Sequence, residues 1–429
     1  MSNLENVDLR LGRFDAHGTT RALYHGRLIE IEHGIPGELV RAEIVGQRRR
    51  RGRITEVLEA APDRVEAPCD YFRDWHCGGC QWQHMTYEGQ LARKRHEVEA
   101  AMRAAGLDVT VETIHTPSEP WRYRSTASIS LGKSAGFRRQ ASLAIVPIRD
   151  CPISHPVIGR VMASLNDALK AGALPDFRGR VRVDVRLTDR ERLLACVRPS
   201  PEERPPSDTD LITLADVLSS LDEVIGVSVL HTDGSIKLLS GGDIFGTTSV
   251  DGRAVSLAAA SFFQTNLDLL PVLIRRIREE AAPLHRKRVA DVYGGVGIFG
   301  LFLASEADEV VIIESDGLAV QAGERTCTNW GLSNVRFVTA RAEDALADES
   351  FHVVIVDPPR SGLMSPVLEE LLSQRPERIL YVSCLAQSLA RDASVLAVGG
   401  YSVEHLELFD FYPQTYHVEM LAVLRPAVG

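Results

Sequence analysis

Asp291-Val-Tyr-Gly-Gly-Val-Gly-Ile-Phe-Gly300 decides the fold. It continues the apolar run that starts at Arg288 and leads into a helix-length segment, so it reads as a glycine-rich turn between a buried strand and a helix. Downstream, β-branched apolar runs recur between helix-length segments: Val310-Val-Ile-Ile-Glu, Val335-Arg-Phe-Val, Val353-Val-Ile-Val-Asp and Ile379-Leu-Tyr-Val-Ser. Strands covered on both faces have this composition, which predicts a parallel, doubly wound α/β sheet of Rossmann-like type. Two last runs, Tyr401–Phe409 and Val418–Leu424, have no clear helix between them and predict an antiparallel hairpin at the end of that sheet.

Upstream the grammar differs. Over the first sixty residues short alternating runs are punctuated by Gly12, Gly18, Gly26, Gly34, Pro36, Gly37 and Gly46. Short, evenly spaced strands with turn signals predict a small barrel of the oligonucleotide-binding type. Ala61-Pro-Asp and Ala67-Pro mark a linker, and a helix is expected over about 87–105, ended by Gly106. From Ser125 to about Leu239 strands return, broken by a helix near Val161–Lys170 and by a Pro/Ser/Asp-rich loop over Arg198–Asp210. Three domains follow: a barrel over residues 1–60, a central α+β domain over 61–260, and the Rossmann-like domain over 261–429.

The chain has 429 residues, 45% hydrophobic and 25% charged, as in soluble globular proteins. No apolar run reaches membrane-spanning length, and the opening MSNLENVDLR lacks the order of a secretory signal. A cytoplasmic protein without a membrane partner is expected. The net charge of −10 speaks against nucleic acid, but phosphates respond to local fields. Basic residues cluster at Arg48–Arg51 with Arg53, at Arg93-Lys94-Arg95 and over Arg122–Arg124.

In open α/β sheets ligands sit beyond the carboxyl ends of the strands. The glycines at 294, 295 and 297 let backbone approach such a ligand, and the following helix N-terminus favours negative groups. Glu314 ends the next strand, where a carboxylate can accept hydrogen bonds from ribose hydroxyls. Asp357-Pro-Pro-Arg360 and Ser383-Cys384 end later strands on the same edge. They suit methyl transfer and have no role in hydride transfer, which favours S-adenosylmethionine over NAD. Glu419, in His417-Val-Glu-Met420, is a carboxylate in an apolar strand.

DVYGGVGIFG, VDPPR, YVSCLAQSLARD and YHVEM, in this order and spacing, resemble the RNA uracil-5-methyltransferase family, and the resemblance covers essentially the whole chain. It is closest to the 23S rRNA-modifying members, which carry a TRAM domain and an iron–sulfur cluster. The resemblance implies Cys384 as nucleophile and Glu419 as base. It implies a base-facing aromatic at Phe262, a cofactor contact at Gln264, and Tyr293, Gly295, Gly297, Glu314 and Asp357 in or beside the cofactor pocket, Asp357 near the substrate as well. The chemistry fits: carbon 5 of uracil is too poor a nucleophile until a thiolate adds at carbon 6, and a base must then remove the C5 proton. The family's Asn-Pro after the nucleophile is Leu385-Ala386 here, and Ile298 replaces the common Asn of the glycine loop. Cytosine-5 enzymes carry a second cysteine where this chain has Pro359-Arg360. Amino methyltransferases place an aromatic after Asp-Pro-Pro. The expected partner is structured RNA, rRNA ahead of tRNA, bound by a monomer; a non-catalytic RNA-binding protein is the competing reading.

Seven cysteines in a reducing compartment point to metal or catalysis rather than disulfides. Cys69, Cys77, Cys80 and Cys151 suit either zinc or a [4Fe–4S] cluster by spacing alone. The resemblance implies the cluster, although the gap from Cys69 to Cys77 exceeds the family's usual one. Cys196 and Cys327 read as buried and inert.

Overall fold

The computed structural model of the protein describes residues 5–427 except 16, 46–50, 75, 201–205 and 348. Most of the basic run Arg48–Arg51 therefore lies outside the described residues, as does the middle of the loop expected over Arg198–Asp210. The chain divides into two compact units, one made of residues 1–94, 139–142 and 412–416, the other of 95–138, 143–411 and 417–429.

The first unit holds a five-stranded sheet of β1 (Glu5–Arg10), β2 (Thr20–Tyr24), β3 (Arg27–Glu32), β4 (Leu39–Val45) and β5 (Arg51–Glu59), in the order β1-β4-β5-β3-β2. Neighbours are antiparallel except β3 and β5. Alternation places Thr20, Ala22 and Tyr24 inward, over a core that includes Leu9, Ile29, Ile31, Val40 and Ala42. Between β2 and β3, His25 and Gly26 both take positive φ (46° and 73°), as a tight two-residue hairpin with a right-handed strand twist requires. The buried Glu38 carboxylate accepts the Ile35 amide at 2.9 Å, the Ala61 amide at 3.2 Å and the Arg64 guanidinium, which fastens the linker to the sheet. Beyond it come α1 (Asp70–Arg73) and α2 (Tyr87–Ala104), the latter counted with the second unit from Arg95 on.

In the second unit, β6 (Thr113–His115) precedes a seven-stranded central sheet. Its strands are β7 (Thr126–Leu131), β8 (Ala135–Arg138), β9 (Ile145–Pro147), β10 (Val181–Thr188), β11 (Arg192–Pro199), β12 (Val224–Leu230) and β13 (Ile236–Gly241), ordered β13-β12-β11-β10-β7-β8-β9. Two helices belong to this region, α3 (Pro156–Lys170) and α4 (Asp208–Ser219). The expected loop over Arg198–Asp210 is shorter than its composition suggested. β11 runs to Pro199, and α4 starts at Asp208 behind a capping box in which the Ser207 hydroxyl accepts the Asp210 amide and the Asp210 carboxylate accepts the Ser207 amide.

A hairpin of β14 (Phe245–Val250) and β15 (Arg253–Ala258) and helix α5 (Leu270–Ala281) lead to the alternating α/β segment. It comprises β16 (Arg288–Val292), α6 (Ile298–Leu303), β17 (Glu309–Glu314), α7 (Gly317–Trp330), β18 (Val335–Thr339), α8 (Ala342–Ala345), β19 (Val353–Val356), α9 (Ser365–Gln374), β20 (Arg378–Ser383), α10 (Ala386–Val398), β21 (Tyr401–Phe409) and β22 (Glu419–Pro426). The sheet order is β18-β17-β16-β19-β20-β22-β21-β6. β18 to β20 are parallel and β22 antiparallel to both neighbours. The apolar runs are buried as their composition predicts: all four residues of β19 and Val310 through Ile313 are inside.

The C-terminal hairpin does not end the sheet, as its position in sequence suggested. β6 pairs parallel to β21 beyond it, Glu407 opposite Thr113. Glu407 holds this edge: its carboxylate receives His115 Nε2 at 2.6 Å and the Arg276 guanidinium at 2.5 Å, and these donors bring its pKa down to about 2 against the cost of burial.

Candidate active site

The parallel strands fan out from β16, with β17 on one side and β19 on the other, so the strand order reverses there and a crevice opens at the carboxyl ends. The glycine loop sits at this point. Tyr293, Gly295 and Gly297 have φ of 60°, 57° and 79°, and Gly297 N–H closes a turn onto Gly294 O at 2.7 Å. A Cβ on Gly297 would meet Ile312 Cδ1 at 2.4 Å and the Phe337 ring at 3.0 Å, so glycine is required for space as well as conformation. Glu314 accepts Gly295 N–H at 2.9 Å and Asp316 N–H at 2.7 Å, tying the end of β17 to the loop.

Beneath the loop lies Asp291, fully buried. Its Oδ2 accepts Gly300 N–H at 2.8 Å, while Oδ1 has no partner among the described residues. Burial, with help from the Glu314 charge, pushes its pKa up to about 7. The site list read from sequence did not include this carboxyl. An acid in the middle of an apolar strand was the available signal.

Asp357 follows β19 and is half-buried; desolvation first, then the charges of Asp291 and Glu314, raises its pKa to about 8. Cys384 follows β20 and is also half-buried, so its thiol is neither lost in packing nor fully in water. Burial pushes that thiol up to about 11, with the Glu419 and Asp357 charges adding to the effect and Arg360 opposing it.

Glu419 opens β22, only 2% exposed. The β20–β22 ladder ends with Ser383 opposite Met420, which leaves Cys384 and Glu419 flanking that last pair, and the Glu419 charge acts on the Cys384 thiol. Glu419 Oε1 has no partner among the described residues, and burial together with Asp357 raises its pKa well above the usual value. A thiol and three carboxyls held toward their neutral forms therefore share one edge of the sheet.

Phe262 and Gln264 lie between β15 and α5. The Phe262 ring is 66% exposed, whereas Gln264 is buried with Oε1 unpartnered among the described residues. Leu385, where the family has Asn, is the N-cap of α10 in extended conformation, and Ala386 takes the first helical position, one that proline commonly fills. Ile298 likewise starts α6, buried in the core.

Sequence reasoning missed a clamp between the two loops at this edge. Asp392 Oδ2 accepts Leu363 N–H at 2.7 Å and the Tyr381 hydroxyl at 2.7 Å, and the Ser388 hydroxyl donates to Arg360 O at 2.6 Å. The readable signal was Tyr381, a phenol inside an apolar strand that must find a partner.

Cys69, Cys77 and Cys80 are buried in the first unit, and Gly79 N–H points to Cys77 Sγ at 3.5 Å; Cys151, in the second unit, is buried too. Among the described residues no group of three or more His, Cys, Asp or Glu is gathered as a metal site. Cys196 is buried, as expected. Cys327 is only partly buried, although burial still lifts its pKa to about 11. No helix among the described residues is long and apolar enough to cross a membrane.

The sequence profile described as tRNA (Uracil-5-)-methyltransferase matches residues 244–426. An uncharacterized RNA methyltransferase of Halalkalibacterium halodurans is 30% identical over 446 residues, covering 98% of this chain and 96% of the relative. One from Gloeobacter violaceus is 30% identical over 432 residues, covering 94% and 92%. Among solved structures, the Pyrococcus abyssi tRNA (uracil-54, C5)-methyltransferase in complex with S-adenosyl-L-homocysteine superposes with a TM-score of 0.74 at 23% identity, over 97% of this chain and 100% of that one.

Proposed function

The chain belongs to the RNA uracil-5-methyltransferase family, and from that membership we propose that it forms 5-methyluridine in structured RNA through a transient bond between Cys384 Sγ and uracil C6. The observation that carries this reading is a half-buried Cys384 at the end of β20 whose thiol feels the charges of the buried Glu419 and of Asp357.

S-adenosylmethionine, when bound, supplies the electrophilic methyl group. The residues present suit it: Asp291 and Gln264 each keep an unpartnered buried oxygen, and Gly295 has open space where a Cβ would stand. Gln264, Tyr293, Gly295, Gly297, Glu314 and Asp357 would hold it.

The Cys384 S–H proton passes to water as sulfur bonds to C6, and the C5–C6 π electrons move to C5 and O4. After C5 is methylated, Glu419 removes the C5 proton, the C5–C6 double bond re-forms and the thiolate leaves. Burial favours the protonated form of Glu419, and its ionised form, reached when that proton passes to water, is the base for the second half. Phe262, whose ring is exposed, would stack on a base, and a target in a stem would have to be flipped out.

The substrate we favour is 23S rRNA. The five-stranded N-terminal sheet supports RNA binding, with a cavity of about 730 Å³ lined in part by Arg21, Arg27, Arg51, His17 and Tyr416, as in a TRAM or OB-like barrel. The family profile carries tRNA in its description, which keeps tRNA as the alternative target. We also propose that Cys69, Cys77 and Cys80 of the first unit are ligands of a [4Fe–4S] cluster, supported by their burial and by the Gly79 amide aimed at Cys77 Sγ. Iron and acid-labile sulfide in anaerobically purified protein test it, and zinc in their place overturns it.

The enzyme reading is tested by trapping. RNA bearing 5-fluorouracil at the target has no C5 proton to lose and should remain bonded to the wild type but not to Cys384→Ala. Absence of an adduct with cofactor-saturated protein favours a non-catalytic RNA-binding protein. Mapping 5-methyluridine in rRNA and tRNA of a deletion strain identifies the substrate.

A further inference from the structure

The central sheet of the second unit carries a cavity of about 350 Å³ that the chemistry above touches only through Phe262. Its walls include Arg124, Ser128, Arg186, Arg198, Ser261 and Phe262, contributed by β7, β10, β11 and the segments before β7 and after β15. The volume lies in the ordinary range of small ligand sites.

Arg186 is the unusual member. Only 8% exposed, it donates to the carbonyls of Ser261 and Phe263, yet its Nε–H has no partner among the described residues. Burial draws its pKa down to about 10, with Asp184 opposing the effect and Arg198 reinforcing it. A guanidinium stays charged at neutral pH all the same, so a cation is buried here with incomplete compensation.

Asp184 cannot supply the missing charge alone. Its carboxylate already receives Arg198, the Arg182 guanidinium at 3.2 Å and the Ser128 hydroxyl. Arg124 lines the same cavity from the segment before β7. Ser261 adds a buried hydroxyl, 3% exposed, that also lacks a partner among them. Three guanidiniums thus face one carboxylate that is already shared, with two buried polar groups left over.

Such a set is complementary to a tetrahedral anion that accepts several hydrogen bonds. The exposed Phe262 ring stands on the same wall, so an aromatic platform adjoins the cationic pocket. A phosphate beside a stacking surface is how a nucleotide is held. Phe262 is also two residues from Gln264, and two residues of chain span at most about 7 Å, roughly one nucleotide step.

We propose that this cavity seats a backbone phosphate of the RNA substrate, that of a nucleotide next to the target uridine, with Arg186, Arg198 and Arg124 as its donors and Phe262 under the adjoining base. The proposal rests on the RNA methyltransferase reading and assigns a second anchoring point for the strand.

The test uses full-length protein and a 5-fluorouracil-containing RNA oligonucleotide whose linkages around the target are replaced one at a time by uncharged methylphosphonates. Arg198→Ala and Arg124→Ala should each weaken RNA binding about tenfold, the scale of one charge-assisted hydrogen bond, and reduce the slope of log Kd against log salt by about one. Affinity for S-adenosylhomocysteine should stay at the wild-type value. One methylphosphonate position should weaken the wild type about tenfold and leave Arg198→Ala little changed. Arg186→Lys, read beside the two more exposed variants, checks the buried donor while keeping a charge.

If the wild type traps the oligonucleotide while both alanine variants bind it with unaltered affinity and salt slope, the cavity assignment fails and the enzyme reading stands. If the wild type traps nothing, the enzyme reading itself fails. If inorganic phosphate raises the melting temperature through Arg198 but no methylphosphonate position discriminates, the cavity binds free anions and the RNA assignment is overturned.

Discussion

Asp392 accepts the backbone N–H of Leu363 at 2.7 Å and, with the Ser388–Arg360 bond, links the helix after the nucleophile to the loop after Asp357. The same oxygen receives the Tyr381 hydroxyl, and Gly362 must lack a Cβ because one would lie 2.5 Å from it. Asp392→Ala would leave a buried phenol and a buried amide without an acceptor, at about 1–3 kcal/mol for each group. The expected outcome is a melting temperature lower by several degrees and slower 5-fluorouracil trapping. Asp392→Asn, which keeps one carbonyl acceptor, should recover part of both. Wild-type stability in Asp392→Ala would remove the clamp from the account.

Gly297→Ala tests the cofactor loop. The φ of 79° costs an L-residue about 1–2 kcal/mol, and the added methyl must displace Ile312 or Phe337. Calorimetry should show S-adenosylhomocysteine affinity falling by more than tenfold. Gly317→Ala is the control, because nothing lies within 4 Å of a Cβ there. Equal affinities for the two variants would contradict the role given to this loop.

What the sequence makes legible follows from how locally each feature is encoded. The strands from β16 to β20 announce themselves because apolar β-branched runs need both faces covered, and the glycine loop because three left-handed residues must adjoin one strand end. Cys384 and Glu419 were readable as motifs, but their place flanking the last pair of β20 and β22 is a matter of register. β6 has three residues, too few for a period, and is defined by its partner β21. The Arg186 cavity was invisible for a related reason. An arginine in an alternating strand looks like a solvated position until the segment carrying Ser261 and Phe262 covers it.

Alkylation of Cys384 provides a readout that needs no RNA. The thiolate is the reactive form, and burial, Glu419 and Asp357 hold the thiol up to about 11, so the iodoacetamide rate should climb with pH well past the range of an ordinary cysteine. Glu419→Gln removes one of the opposing charges and should move the profile to lower pH. Because burial is the larger cause, the profile should remain above that of a free thiol. Unshifted profiles would separate Glu419 from the nucleophile and weaken its assignment as the base.

Asp291→Asn tests whether the cofactor crevice carries a stability cost. The Asp291 pKa rises from 3.8 to about 7 on folding, chiefly through burial. Below about pH 4 both folded and unfolded chains hold the proton, and Asp291 costs nothing. As pH climbs toward 7 the unfolded chain releases the proton while the folded one keeps it, so stability is progressively lost, and the loss levels off above 7. Asparagine can still accept Gly300 N–H through its carbonyl and has no proton to release. The melting temperature of Asp291→Asn minus that of the wild type should therefore grow between pH 5 and pH 8, as determined by calorimetry on ligand-free protein. The Asp291 charge also raises Asp357, so both proteins carry Asp357→Asn in this comparison, and the difference then isolates Asp291. Two curves that run parallel across that interval would mean the buried carboxyl is already compensated, and its unpartnered oxygen would no longer support a ligand contact.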